Sequence, residues 1–312
     1  MNGDKTFKPR SRSFFQYLVL AGKGFCMGAS DVVPGVSGGT MAFILGIYEE
    51  LIEAIKSFDL KGLRLLLSLK FGPCLDRISW KFLLALGTGI LTAIFTLAKL
   101  LSWLLENEPV LIWSFFLGLI LASVLSVSRR IQRWGPGTWL CLAGGGLGTY
   151  FLVGLVPVAT PNDPWFVFLS GALAICAMIL PGISGSFILV LLGKYHYVLE
   201  AVNQRDFLVL ALVGAGACAG LASFSRLLGW LLRHYHDLMV AGLTGLMVGS
   251  LRKVWPWKEN LETLVDGHGR VIPLVQANVL PGQWSGEVLA ALCLAASGFL
   301  VVFILDRLST GP

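Results

Sequence analysis

Six stretches of this chain, 82–105, 110–128, 138–156, 207–232, 238–251 and 286–305, are strongly apolar and carry at most one charged residue each. A helix needs about 20 such residues to cross the hydrocarbon core of a bilayer. With 55% hydrophobic and only 13% charged residues, against about 25% charged in soluble domains, the chain is expected to be an all-α polytopic membrane protein. The 238–251 stretch is the shortest and weakest. The net charge of +6 is carried by residues between the apolar runs, with no aromatic-interleaved basic patch. It therefore suits membrane orientation rather than nucleic-acid binding.

Two further segments, 14–55 and 165–202, are interrupted by Pro-Gly. Residues 34–55 read PGVSGGTMAFILGIYEELIEAI and 181–202 read PGISGSFILVLLGKYHYVLEAV, identical at nine of 22 positions. The matches include Pro34/Pro181, Gly35/Gly182, Ser37/Ser184, Gly38/Gly185, Tyr48/Tyr195 and Glu53/Glu200. Such self-similarity marks an internal repeat. It continues as Gly87/Gly214, Gly89/Gly216, Lys99/Arg226, Trp103/Trp230, Gly118/Gly245 and Ser123/Ser250. Each half reads as one re-entrant helical hairpin followed by three spans: residues 1–157, and 164–312 after a PVATPNDP linker. The first half also inserts a segment whose residues 58–71 are expected to form an interfacial amphipathic helix.

A hairpin returns to its own side and three spans do not, so the halves are expected to have inverted topology. Lys5, Lys8, Arg10, Arg12, the Lys56–Lys81 connection, Arg129, Arg130, Arg133 and Arg233 then fall inside, with both termini. Glu106 and Glu108 fall outside, as does the longer loop 252–284, whose Arg252, Lys253, Lys258 and Arg270 run against the rule. The basic start followed by FFQYLVLAG superficially resembles a signal peptide, but it runs straight into the first repeat motif and is read as retained. The six cysteines stand alone without CxxC pairs, so neither a disulfide framework, a metal site nor a cofactor is expected.

Non-helical backbone in a bilayer survives only where protein or a wet cavity surrounds it. Pro34 and Pro181 end the entering arms, while Gly35, Gly38, Gly182 and Gly185 permit a tight reversal. Ser37 and Ser184 are placed to cap the helices that follow. Exposed N–H groups at those helix starts suit an anion, and discontinuous helices in inverted repeats meet near the midplane. The expected substrate contacts are Gly35, Ser37, Gly38, Gly39 and Thr40 in one tip and Gly182, Ser184, Gly185 and Ser186 in the other. Lys99 and Arg226, at matched positions, either reach the anion or snorkel to an interface. Lys23, Asp31, Glu53 and Glu200 are candidates for ion coupling, with surface placement the simpler reading of the two glutamates. Asp31 aligns with Met178, so any role for it is asymmetric. Lys194 and His196 are ambiguous.

GASDVVPGVSGGTMAFILGIYEELI and ILPGISGSFILVLLGKY resemble the first and second motifs of the bacterial polyprenyl-phosphate (undecaprenyl-phosphate) transporters, and the resemblance covers about residues 14–305. It implies return of the monophosphate lipid carrier across the cytoplasmic membrane for reuse in cell-wall synthesis, with lipid partners and no enzymatic step. Two other readings stay open. Membrane phosphatases acting on undecaprenyl diphosphate also have inverted repeats and a PG-x-S tip, but their tip continues with an arginine. Here Gly38-Gly39 and Gly185-Ser186 follow the serines, and all four histidines lie elsewhere. A secondary transporter of a small soluble anion is the third reading.

Overall fold

The computed structural model describes residues 12–32, 37–57, 79–158, 160–265, 271–284 and 286–309. Gly35, Pro34 and the expected interfacial helix 58–71 lie outside them. Twelve helices are described, six on each side of the 157–163 linker. They are α1 (Phe14–Asp31), α2 (Gly38–Ile44), α3 (Tyr48–Lys56), α4 (Trp80–Asn107), α5 (Pro109–Ser128) and α6 (Pro136–Leu152). In the same order follow α7 (Pro164–Ile179), α8 (Gly185–Leu191), α9 (Tyr195–Gln204), α10 (Phe207–His234), α11 (His236–Val254) and α12 (Gly286–Ser309). An antiparallel hairpin, β1 (Lys258–Val265) and β2 (Val271–Asn278), stands between α11 and α12. It occupies the loop in which the apolar pattern gave no element.

The helix starts follow local chemistry. Ser13 and Gln16 form a capping box at α1: the Gln16 N–H donates to Ser13 Oγ and the Ser13 N–H to Gln16 Oε1. Proline occupies the first position of α5, α6 and α7, where its missing N–H costs nothing. The helices α4, α5, α10 and α12 are long and apolar enough to cross a membrane, and the chain is a multi-pass membrane protein. Of the six expected spans, the two others are shorter, with 17 residues in α6 and 19 in α11. These two pack against each other along their length.

The expected departing arms are each broken. A positive-φ glycine, Gly46 at 68° or Gly193 at 63°, separates a seven-residue helix from the next. In the second half the two helix axes differ by 102°. Matched backbone recurs elsewhere. The α4–α5 junction at Glu108 has φ −131° and ψ 52°, and the α10–α11 junction at Tyr235 has −134° and 47°.

Packing recurs as well. The pairs are α1 on α4 and α7 on α10, and then α5 on α12 and α6 on α11. Glycines set these contacts. A Cβ at Gly24 would collide with the Leu86 carbonyl, and one at Gly171 with the matched Val213 carbonyl. Gly89 meets Ala21 as Gly216 meets Phe168, and Gly118 meets Ala295 as Gly245 meets Leu142. Small residues allow such close backbone approach where lipid supplies no hydrophobic drive between helices.

Candidate functional site at the junction of the two tips

The first tip is built around α2, whose seven residues are all buried. Ser37 is extended (φ −123°, ψ 134°), and its Oγ accepts from the Gly39 N–H at 3.1 Å. This is the expected cap. The Gly38 N–H, expected to be open, instead donates to Asp31 Oδ1 at 2.7 Å. A Cβ at Gly38 would collide with that carboxylate. At the other end of α2, Lys23 Nζ donates to the Leu45 carbonyl at 2.7 Å. Thus α1 presents an anion to the positive end of α2 and a cation to its negative end, the favourable sense at both.

The two tips touch. Ser37 Oγ lies 3.1 Å from the Leu180 carbonyl and 3.3 Å from that of Met178. The Tyr48 hydroxyl donates to the Ile179 carbonyl at 3.2 Å, and Thr40 Oγ1 accepts from the Gly182 N–H at 3.1 Å. The last turn of a helix leaves carbonyls unpartnered; hydroxyls of the first tip partner those at the end of α7. Gly39 closes the contact, since a Cβ there would stand 2.5 Å from the Ile179 carbonyl.

The second tip is less enclosed. Gly182 has φ +90°, and a Cβ there would stand 3.0 Å from the Leu246 carbonyl. Only glycine fits that backbone. Ser184 occupies the N-cap position with ψ 137°, but makes no side-chain cap. Its hydroxyl pairs with Ser186 at 2.7 Å instead. Among the described residues the Gly185 and Ser186 N–H groups have no hydrogen-bond partner. Ser186 is exposed, and of α8 only Gly185 is buried. Neither Asp31 nor Lys23 has a charged counterpart here: Met178 and Ser170 stand in their places.

The remaining candidates lie apart. Lys99 is exposed on α4; Arg226 is exposed on α10 and donates to the Ala222 carbonyl one turn back. Neither has a hydrogen bond or ion pair to a tip among the described residues. Glu53 pairs with Lys56 at 2.7 Å and with Arg233 at 3.9 Å, while Glu200 accepts from Gln204. Lys194 is buried, donating to the Thr160 carbonyl and to Asn162 Oδ1, and so ties the linker to the end of α8. Tyr48 is the contact that sequence reasoning did not assign, although its identity with Tyr195 in the repeat was a signal.

Comparison with known proteins bears on this arrangement. The family described as undecaprenyl phosphate translocase-like matches residues 27–272. The chain belongs to that family. The matched span runs from Met27 in α1 to Ile272 in β2 and contains both tips and α4, α5, α6, α10 and α11, five of the six expected spans. Among relatives of this family member, the polyprenyl-phosphate transporter of Vibrio cholerae serotype O1 is 44% identical over 297 residues, covering 93% of this chain and 96% of its own. The polyprenyl-phosphate transporter of Staphylococcus aureus is 32% identical over 253 residues, covering 75% and 84%. No solved structure matches.

Proposed function

We propose that this chain carries undecaprenyl phosphate across the bacterial cytoplasmic membrane, the two halves lying inverted with both termini inside. The head group seats where the tips meet. The carrying observation is the interlock of Ser37, Thr40 and Tyr48 with residues 178–182, which leaves the Gly185 and Ser186 N–H groups open beside it, next to the mutually bonded Ser184 and Ser186 hydroxyls. Relatives named polyprenyl-phosphate transporters support the substrate class. The first tip works as an anchor, because its Gly38 and Gly39 donors are already taken. Phosphatase chemistry is disfavoured by the same contacts. The Ser37 hydroxyl is held by backbone, the nearby Asp31 carboxylate is taken by the Gly38 N–H, and no side-chain base is hydrogen-bonded to that hydroxyl among the described residues, whereas phosphoryl-type attack needs an adjacent base.

The test uses purified protein in lipid nanodiscs. Wild type should bind undecaprenyl phosphate in preference to undecaprenol and release no phosphate from undecaprenyl diphosphate. Ser184→Ala and Ser186→Ala should each weaken binding about tenfold, the size expected for losing one hydrogen bond to a charged group. Gly185→Val is the wrong probe, since even a Cβ would stand 2.6 Å from the Ala174 carbonyl. Equal binding of the phosphate and the alcohol, or phosphate release that disappears in Ser37→Ala, would defeat this reading.

A further inference from the structure

The end of α11 and the start of β1 bring cations to the second tip. Lys253 Nζ lies 5.6 Å from the centre of the Phe187 ring, on the tip helix α8. Lys258 Nζ lies 4.9 Å from the Trp113 ring on α5 and donates to the Lys253 carbonyl at 2.5 Å. Val32, next to Asp31, shares one apolar cluster with Trp113 and Val254. Lys253 thus borders the second tip helix, and Lys258, bonded to the Lys253 carbonyl, lies beside it over α5.

Both lysines are partly buried, and among the described residues neither meets a carboxylate. Asp31 is engaged by Gly38. A buried ammonium without a partner is costly. One cation is accounted for by the carbonyl end of α11, and Arg252 is held on Tyr150, 2.9 Å from its carbonyl and 4.5 Å from its ring centre. Each ammonium has three donors. Lys258 uses one and Lys253 none on any described acceptor. Burial, and then the charge of Lys253, push the Lys258 amine down to about 8.

We propose that Lys253 and Lys258 form a phosphomonoester-binding pair that receives the head group beside the second tip. This rests on the reading of the substrate as a lipid monophosphate. A phosphomonoester carries about −1.5 to −2 charges near neutrality, which two ammonium groups match, whereas the single charge of a bulk phosphodiester lipid leaves one unpaired. The pair thus separates substrate from surrounding lipid by charge.

The experiment measures binding of undecaprenyl phosphate and undecaprenol to the full chain in nanodiscs, with inorganic phosphate as a second probe. Lys253→Gln and Lys258→Gln should each weaken undecaprenyl phosphate binding about tenfold, and the double variant about a hundredfold. Residual undecaprenol binding and the melting temperature should not move. Lys253→Arg with Lys258→Arg should hold binding within about threefold of wild type, because charge is kept. A folded double Gln variant that binds undecaprenyl phosphate like wild type overturns the pair and leaves the transport reading standing. Lysine-dependent binding of inorganic phosphate without any of the lipid keeps the pair and defeats the lipid reading. Binding of neither probe by wild type overturns both.

Discussion

Asp31 and Lys23 stand about two turns apart on α1 and hold opposite ends of α2. Asp31→Ala would leave the buried Gly38 N–H without its acceptor. That should cost about 1–3 kcal/mol, read as a lowered melting temperature in detergent, while Glu200→Ala, on an exposed helical pair, should leave it unchanged. These two charges were visible in the sequence, but their partners were not. Neither has a counterpart in the second copy, and periodicity reports which face a residue occupies, not which carbonyl it reaches. Lys253 and Lys258 were hidden for the same reason, in a loop that ran against the charge rule. At Lys258 the chemistry gives a pH dependence. The charged groups around it are Lys253, whose carbonyl it holds, Arg252 next to that lysine on α11, and Glu259 beside it on β1; its ring neighbour is the non-titrating Trp113. With its amine at about 8, Lys258 is charged below that pH and neutral above it. Undecaprenyl phosphate binding should therefore hold between pH 7 and 7.5 and fall as pH rises through about 8 to 9. Lys258→Arg should remove the decline, since a guanidinium stays charged there; an unchanged pH profile would sever the link between that amine and binding.

Helices of seven residues are far below the length that stands alone in water or elsewhere without support. α2 is enclosed by its neighbours and α8 is held at its C-terminal end, where Val158 and Thr160 donate to the Leu191 and Leu192 carbonyls, which is why a broken arm was not foreseen from an apolar run alone. Gly46 and Gly193 were in plain view as matched glycines, but only the backbone shows that both take positive φ. The long helices were legible: α10 begins at Phe207 and α12 at Gly286, where the apolar runs begin, because lipid demands continuous apolar length. β1 and β2 were not, since KENLETLV and VIPLVQAN show no strict alternation and the second carries a proline. The glycine seams divide matched positions into two kinds. Gly89 and Gly216 lie against carbonyls of α1 and α7, whereas Gly87 and Gly214 face open space. Gly89→Leu and Gly216→Leu should abolish a monodisperse detergent-solubilised peak, and Gly87→Leu and Gly214→Leu should retain it. Size-exclusion profiles of the four variants decide whether those seams hold the molecule together.

At the scale of the molecule, the halves correspond helix by helix, α1 to α7 through α6 to α12. Asn107 and His234 occupy matched places just before the junctions at Glu108 and Tyr235. In the inverted arrangement proposed for the two halves these residues face opposite sides, so single cysteines at Asn107 and His234 should label from outside and inside respectively in oriented vesicles. Labelling of both from one side would require the halves to run parallel. The partner exchange noted above, with α5 on α12 and α6 on α11, has a consequence for the chain as a single polymer. Each half lays the glycine face of its fifth helix against the last helix of the other, so neither half is expected to fold alone, and the protein should behave as a dimer whose two subunits share one backbone. Cut before Val158, which stays hydrogen-bonded to Leu191, the two fragments should co-purify as a stoichiometric complex when made together, and each should be degraded when made alone.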